Sequence, residues 1–303
     1  MPAPASHDRI LPAIALRLLS VFFLASMGAL IKLAETMGAS LPEVLFFRQL
    51  GASVLVTGVI LAGPGIATIR TLRIGAHVRR AVVGLSSMAC MFSSLMLLPL
   101  AEATTLQFTV PIFATILGAV LLREPTGWHR WGAVLVGFAG VLIVAQPGSG
   151  QFPLVGTVLG LIAASLAALV SILLRQIGRT ESATTTVFWF STLSLLPLGI
   201  AYAFSLQPHP PRVWAVLFGM GLLGGMGQIA LTAALRRGPV SVVVPMDYSS
   251  LIWATLYGFL LFGAVPAQAT WLGAPVIVAS GLYIVWREQA RRRAETDAAI
   301  VGE

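Results

Sequence analysis

Apolar runs of roughly 20 residues recur along the chain from Leu11 to Trp286, separated by short segments in which Pro and Arg gather. A helix rises about 1.5 Å per residue, so roughly 20 residues cross the ~30 Å hydrocarbon core of a bilayer. On that length the runs predict ten membrane helices, at about 12–33, 42–62, 79–98, 102–122, 128–145, 153–174, 183–204, 212–235, 239–262 and 267–286. Breakers mark the joins: Gly63-Pro64-Gly65, Pro99, Pro125, Pro147-Gly148, Pro208 with Pro210-Pro211, Gly238-Pro239 and Pro266. The longest interior loop is 63–78, and residues 287–303 form a charged tail, frayed or an interfacial helix extension. The first run is long for a secretory leader and no convincing cleavage site follows it, so it reads as a retained first helix.

Composition agrees with a protein that lives in lipid. Of the 303 residues, 57% are hydrophobic and only 10% charged, with a mean hydropathy of +0.90. A soluble domain could not cover that much apolar surface. The net charge of +8 does not imply nucleic acid, because the arginines sit at helix ends, where they set topology. With the N-terminus in the cytoplasm, fifteen of the 19 Lys and Arg fall on that side. They are Arg9; Arg70, Arg73, Arg79 and Arg80; Arg123 and Arg130; Arg175 and Arg179; Arg236 and Arg237; and Arg287, Arg291, Arg292 and Arg293. Lys32 and Arg212 fall outside, and Arg17 and Arg48 within the membrane. Both termini are therefore expected in the cytoplasm.

The chain also repeats itself. At a shift of 140 residues Gly84 meets Gly224, Leu95 meets Leu235, Pro99 meets Pro239, Ala114-Thr115 meets Ala254-Thr255, Gly118 meets Gly258 and Trp131 meets Trp271. At a shift of 141, Gly132 meets Gly273 and Gly140 meets Gly281. Each half has an odd number of helices, so the second enters the membrane from the opposite side. The expected fold is an all-α integral membrane protein of ten transmembrane helices in two inverted five-helix repeats, at 12–145 and 153–286, with a cytoplasmic tail at 287–303. That is the architecture of a secondary transporter.

Small residues show where helices can meet. Gly156, Gly160, Ala164 and Ala168 form one face of the sixth helix, and Gly221 and Gly225 one face of the eighth. Such faces serve tight packing or sliding.

Few polar side chains remain at depth: Arg48 in the second helix, Gln107 in the fourth, Gln228 in the eighth and Asp247 in the ninth. An ionised group there costs on the order of 3 kcal/mol, so it faces the protein interior with a partner or a task. Gln107 shifted by 140 is Asp247, which suggests opposite walls of one cavity. Asp247 reads either as a substrate or proton site or as half of an ion pair with Arg48. Arg48 itself could instead snorkel to the interface, as Arg17 is expected to do. Glu43 and Glu102, near helix ends, suit helix-terminus or mouth roles. Tyr248, Trp189 and Trp253 are aromatic candidates for lining a cavity, and Met88 for a pliable wall. Trp128, Trp131, Trp214, Trp271 and Trp286 read as interface anchors.

Several chemistries find no residues. There is no Gly-rich phosphate loop with Lys and Ser or Thr, and His7, His77, His129 and His209 all read as tail or loop positions. Neither a catalytic set nor a metal site can be assembled, Cys90 is alone, and no cofactor is called for. The first helix holds no central acid, so coupling through such a group is not available.

One stretch is distinctive: Pro99-Leu100-Ala101-Glu102-Ala103-Thr104-Thr105, then Phe108-Thr109-Val110-Pro111-Ile112-Phe113, Leu121-Leu122-Arg123-Glu124, and Trp131-Gly132-Ala133 with Gly137, Gly140 and Val141-Leu142-Ile143. It resembles the EamA-type domain of the drug/metabolite transporter superfamily. A looser copy runs through Pro245, Asp247-Tyr248, Trp253-Ala254, Leu260-Leu261-Phe262-Gly263 and Ile277-Val278-Ala279-Ser280-Gly281, with Ala264 where Glu124 has its counterpart. The resemblance implies a ten-helix carrier of the bacterial inner membrane. Its cavity would lie among the third, fourth, eighth and ninth helices, with parts of the first and sixth.

The expected activity is export of a small polar or zwitterionic metabolite of amino-acid type by alternating access. The alternative is import, of a metabolite such as S-adenosylmethionine or riboflavin, and the remote one a membrane enzyme or scaffold. In the first reading Asp247 binds an amine or carries a proton, Gln107 and Gln228 offer hydrogen bonds, Arg48 meets a carboxylate or balances charge, and Tyr248 stacks. Expected partners are the metabolite, protons as a coupling ion and membrane lipid, with no nucleic acid; the chain acts as a monomer or homodimer.

Overall fold

The computed structural model describes residues 7–63, 65–121, 127–146, 153–178, 180–237 and 244–301. Expectations resting on Pro64, Arg123, Glu124, Pro125, Pro147, Gly148, Arg179, Gly238 and Pro239 lie outside the described residues, as do the side chains of Arg130, Arg175, Arg236, Arg237, Arg291, Arg292 and Arg293.

Within the described residues the regular structure is helical. The helices are α1 (His7–Thr36), α2 (Leu41–Ala62), α3 (Ile74–Leu97), α4 (Leu100–Gln107), α5 (Val110–Leu121), α6 (Trp128–Ala145), α7 (Leu154–Ile177), α8 (Ala183–Ala203), α9 (Pro211–Arg237), α10 (Ser250–Phe262) and α11 (Gln268–Val301), with 3-10 turns at Ile66–Ile69 and Val244–Ser249. Eight stretches are long and apolar enough to cross a membrane, α4 and α5 together making one of them. The shorter apolar helix α6, and the 3-10 turn with α10, complete ten crossings. One boundary differs from expectation: α3 begins at Ile74, before the expected 79, so His77 is helical and not a loop residue. Of the two forms expected for the tail, the structure takes the helical one, α11 running on to Val301, because that stretch is rich in Ala, Arg and Glu, strong helix formers that need no lipid to stay helical.

The packing maps onto itself when the halves are exchanged. α1 lies on α9 as α3 lies on α7, and α2 on α9 as α3 on α8. α2 meets α8, α6 meets α11 and α4 meets α10, each helix against its own counterpart. The fourth and ninth crossings are also broken at equivalent points: α5 starts at Val110 and α10 at Ser250, 140 residues apart. In the first half the break has a local cause. Pro111 has no N–H to offer the carbonyl of Gln107, and the chain tightens to i→i−3 bonds, Phe108 N to Thr105 O at 3.1 Å and Thr109 N to Leu106 O at 3.2 Å.

Helix ends are closed by side chains. The Glu43 carboxylate accepts from Ser40 N at 2.7 Å in a capping box and pairs with His209 Nε2 at 2.9 Å, tying the α1–α2 and α8–α9 loops. Glu102 accepts from Ala267 N at 3.1 Å and Thr270 Oγ1 at 3.0 Å, which caps α11 from the opposite half. Lys32 Nζ donates to Met96 O at 2.8 Å and Leu95 O at 3.3 Å, at the negative end of the α3 dipole.

The small-residue faces pack. Gly156 and Gly160 sit against Leu98 and Leu106, and Ala164 and Ala168 are fully buried. At the α2–α9 crossing Gly51 and Gly221 meet backbone to backbone, and a Cβ on either would collide with main-chain atoms that cannot rotate away. Gly221→Val is therefore expected to cost more than the ~1–3 kcal/mol of ordinary overpacking. The check is size-exclusion profile and thermal unfolding in detergent; a wild-type profile and midpoint would mean the crossing is loose.

Candidate functional site

A cavity of about 340 Å³ lies among α1, α3, α4, the break after Gln107, and the start of α10. Both helix breaks reach it, so it sits where the halves are exchanged. Its wall is mostly apolar, with Val21, Leu24, Met91, Leu95, Phe108 and Pro111. Six polar residues interrupt that wall: Arg17, Thr104, Gln107, Asp247, Tyr248 and Ser250.

Arg17 and Asp247 form an ion pair, with Arg17 Nε and Nη2 both directed at Asp247 Oδ1. Arg17 is buried, and its Nη1 also donates to Ser20 Oγ at 3.3 Å. Ser20 in turn donates to Gly227 O at 2.8 Å, which fixes the arginine against α9. The side-chain exposures, 9% for Arg17 and 38% for Asp247, put the acid on the cavity side. Among the described residues Asp247 Oδ2 has no protein partner. Gln107 Nε2 is likewise buried without an acceptor. Tyr248 packs edge-on against Phe108, ring centroids 4.9 Å apart. Gly281 makes room for its hydroxyl, because a Cβ there would come within 2.6 Å of Oη. The site thus offers a carboxylate oxygen, an amide N–H and a phenol against an apolar wall.

The structure brings Gln107, Asp247 and Tyr248 together and places the other candidates elsewhere. Arg48 does not pair with Asp247; it donates to the Gln49 side chain. Arg17 does not snorkel. α1 begins at His7, further back than its apolar run suggests, so Arg17 lies deep and finds an acid there. Trp253 turns to α1, edge-on to Phe22 at 5.0 Å, and stacks near Tyr257 at 6.0 Å. Trp189 donates Nε1 to Ile69 O at 2.9 Å, holding the α2–α3 loop. Met88 is buried in the core cluster, and Met91 takes the place on the cavity wall. Gln228 lies on α9, outside the lining. Trp214 packs on Phe47 and donates to His209 O at 3.2 Å. His77 is buried rather than in a loop. Thr104 and Ser250 were legible in principle, each three residues from a polar candidate on the same side of its helix.

Breaking an ion pair at depth leaves a lone charge, and breaking both partners does not. Arg17→Ala is expected to lower the unfolding midpoint more than Arg17→Ala with Asp247→Asn, with a coupling of about 1–3 kcal/mol. A double-mutant thermal-unfolding cycle reads this; additive effects would show that the two groups do not interact.

The EamA-like transporter family matches residues 11–146 and again 154–286. A riboflavin transporter of Vibrio cholerae is 32% identical over 77% of this chain and 78% of its own. A pseudopaline exporter of Pseudomonas aeruginosa is 27% identical over 89% and 95%. An S-adenosylmethionine uptake transporter of Rickettsia conorii is 26% identical over 82% and 83%. A crystal structure at 20% identity, covering 92% of this chain and 98% of that one with a TM-score of 0.61, shows the same fold.

Proposed function

The chain belongs to the EamA-like transporter family, and from that premise we propose that it exports a small polar or zwitterionic metabolite of amino-acid type across the bacterial inner membrane by alternating access. It is a multi-pass membrane transporter and not an enzyme. The observation that carries the proposal is the Arg17–Asp247 pair on the wall of a cavity at which both broken helices converge. A substrate ammonium competes with Arg17 for Asp247, or a proton does, and either loosens α1 from the start of α10. Gln107 and Tyr248 then hold the polar end of the substrate, and the apolar wall accepts the rest. Helices broken at the substrate site are how other carriers bind polar groups at mid-membrane. The excess of Arg on one side supports cytoplasmic termini. Domain limits of 12–145 and 153–286, with a cytoplasmic tail, go with this reading.

Uptake is the second reading, and a specific observation favours it: the Rickettsia relatives are uptake transporters, whereas the Pseudomonas relative exports. Metabolite profiles of medium and cytoplasm, in cells with and without the protein, separate the two. Export enriches the medium and depletes the cytoplasm; uptake does the reverse. Unchanged pools in both compartments count against transport of any abundant metabolite.

Asp247→Asn is expected to insert normally and to reduce transport at least about tenfold, the effect of losing one charge-assisted contact. Transport of the identified solute into proteoliposomes measures this, with and without a pH gradient. Wild-type rates would remove Asp247 from the mechanism.

A further inference from the structure

Arg48 in α2 and Arg80 in α3 lie inside the helical bundle, and among the described residues neither forms an ion pair. We propose that the two together bind an oxyanion, a carboxylate or phosphate group carried by the transported solute. The claim that this group belongs to the cargo rests on the carrier reading above.

Phe190 of α8 links the two arginines, Arg48 through Gln49 and the Phe190 carbonyl and Arg80 through the Phe190 ring. Arg48 donates to Gln49 Oε1. Gln49 is fully buried and donates Nε2 to the Phe190 carbonyl at 3.5 Å. The Arg80 guanidinium lies over the Phe190 ring, 4.2 Å from its centroid. Gly84, one turn on from Arg80, leaves the space that Arg80 Nη1 occupies; a Cβ would overlap it. Arg48 Nε and Arg80 Nε and Nη1 are buried with no acceptor.

The described acids lie elsewhere: Glu35 beside Lys32 on α1, Glu43 with Ser40 and His209, Glu102 with Ala267 and Thr270, Glu181 with Thr71, and Asp247 with Arg17. Among the described residues the bundle therefore holds two positive charges with no acid paired to them, while the pair on the cavity wall balances itself. Buried charge without a partner is retained where a ligand supplies the partner. Planar guanidinium forks match the paired oxygens of carboxylate and phosphate.

The test uses the full chain purified in detergent, with unfolding followed by tryptophan fluorescence. Citrate and inorganic phosphate are compared with chloride at equal ionic strength. Wild type and the exposed-site control Arg79→Gln should be stabilised by citrate or phosphate; Arg48→Gln and Arg80→Gln should not be. Without added anion, Arg80→Gln should unfold no lower than wild type, since it removes an unbalanced charge. Arg80→Lys keeps the charge and loses the fork, and should weaken the anion about tenfold. Equal stabilisation of all variants, or of none, overturns the site, as does an anion-free Arg80→Gln that is strongly destabilised. Stabilisation by phosphatidylglycerol alone would make it a lipid headgroup site and overturn the assignment to cargo. Proteoliposome flux then separates the two readings. Flux unaffected by Arg48→Gln and Arg80→Gln sinks the site and leaves the carrier; Arg-dependent anion binding with no flux of any solute sinks the carrier and leaves the site.

Discussion

Hydrocarbon offers a polar group no water, so each one carried to depth must be met by another part of the protein. This constraint organises the molecule. It joins Arg17 to Asp247 across 230 residues, and at the helix ends the same demand joins Glu102 to the start of α11 and Glu43 to His209. Each of these links crosses from one half to the other. The apolar faces alone would not hold the halves in register, because lipid is as good a partner for leucine as another helix is.

Where satisfaction is incomplete, the pattern has a direction. Gln107 Nε2, Arg48 Nε and Arg80 Nε and Nη1 lack acceptors, and Asp247 exposes an oxygen to a cavity. These groups sit beside the two helix breaks or between helices of both halves. A packed core hides its polar groups; a carrier leaves some of them for a solute. Glycine contacts at the α2–α9 crossing bring the backbones themselves together.

The halves are alike in packing and unlike in chemistry. The exchange that superposes Gln107 on Asp247 sets an amide opposite a carboxylate, and Val110 starts its helix as Ser250 does. The scaffold is nearly symmetric, and the asymmetry is confined to the side chains on it. That division accounts for relatives that share the scaffold and differ in cargo and direction.

The number of crossings, their order and their repeat could be read from the chain, because apolar length and Gly, Pro and Trp spacing are local and lipid imposes one helix length on all of them. The depth of Asp247 and its equivalence to Gln107 followed from the same register. Partner choice could not be read. The sequence suggested Arg48 as the partner of Asp247 and a snorkelling Arg17, and only the docking of α1 against α9 and the Val244–Ser249 turn brought Arg17 to the acid. The start of α3 at Ile74 moved His77 from a loop into the helix, since helix ends depend on what the flanking turn packs against. Trp189 and Met88 have the composition of cavity residues, yet rotation of their helices turned them to a loop and to the core. Periodicity says that a helix has a face; only packing says what that face meets.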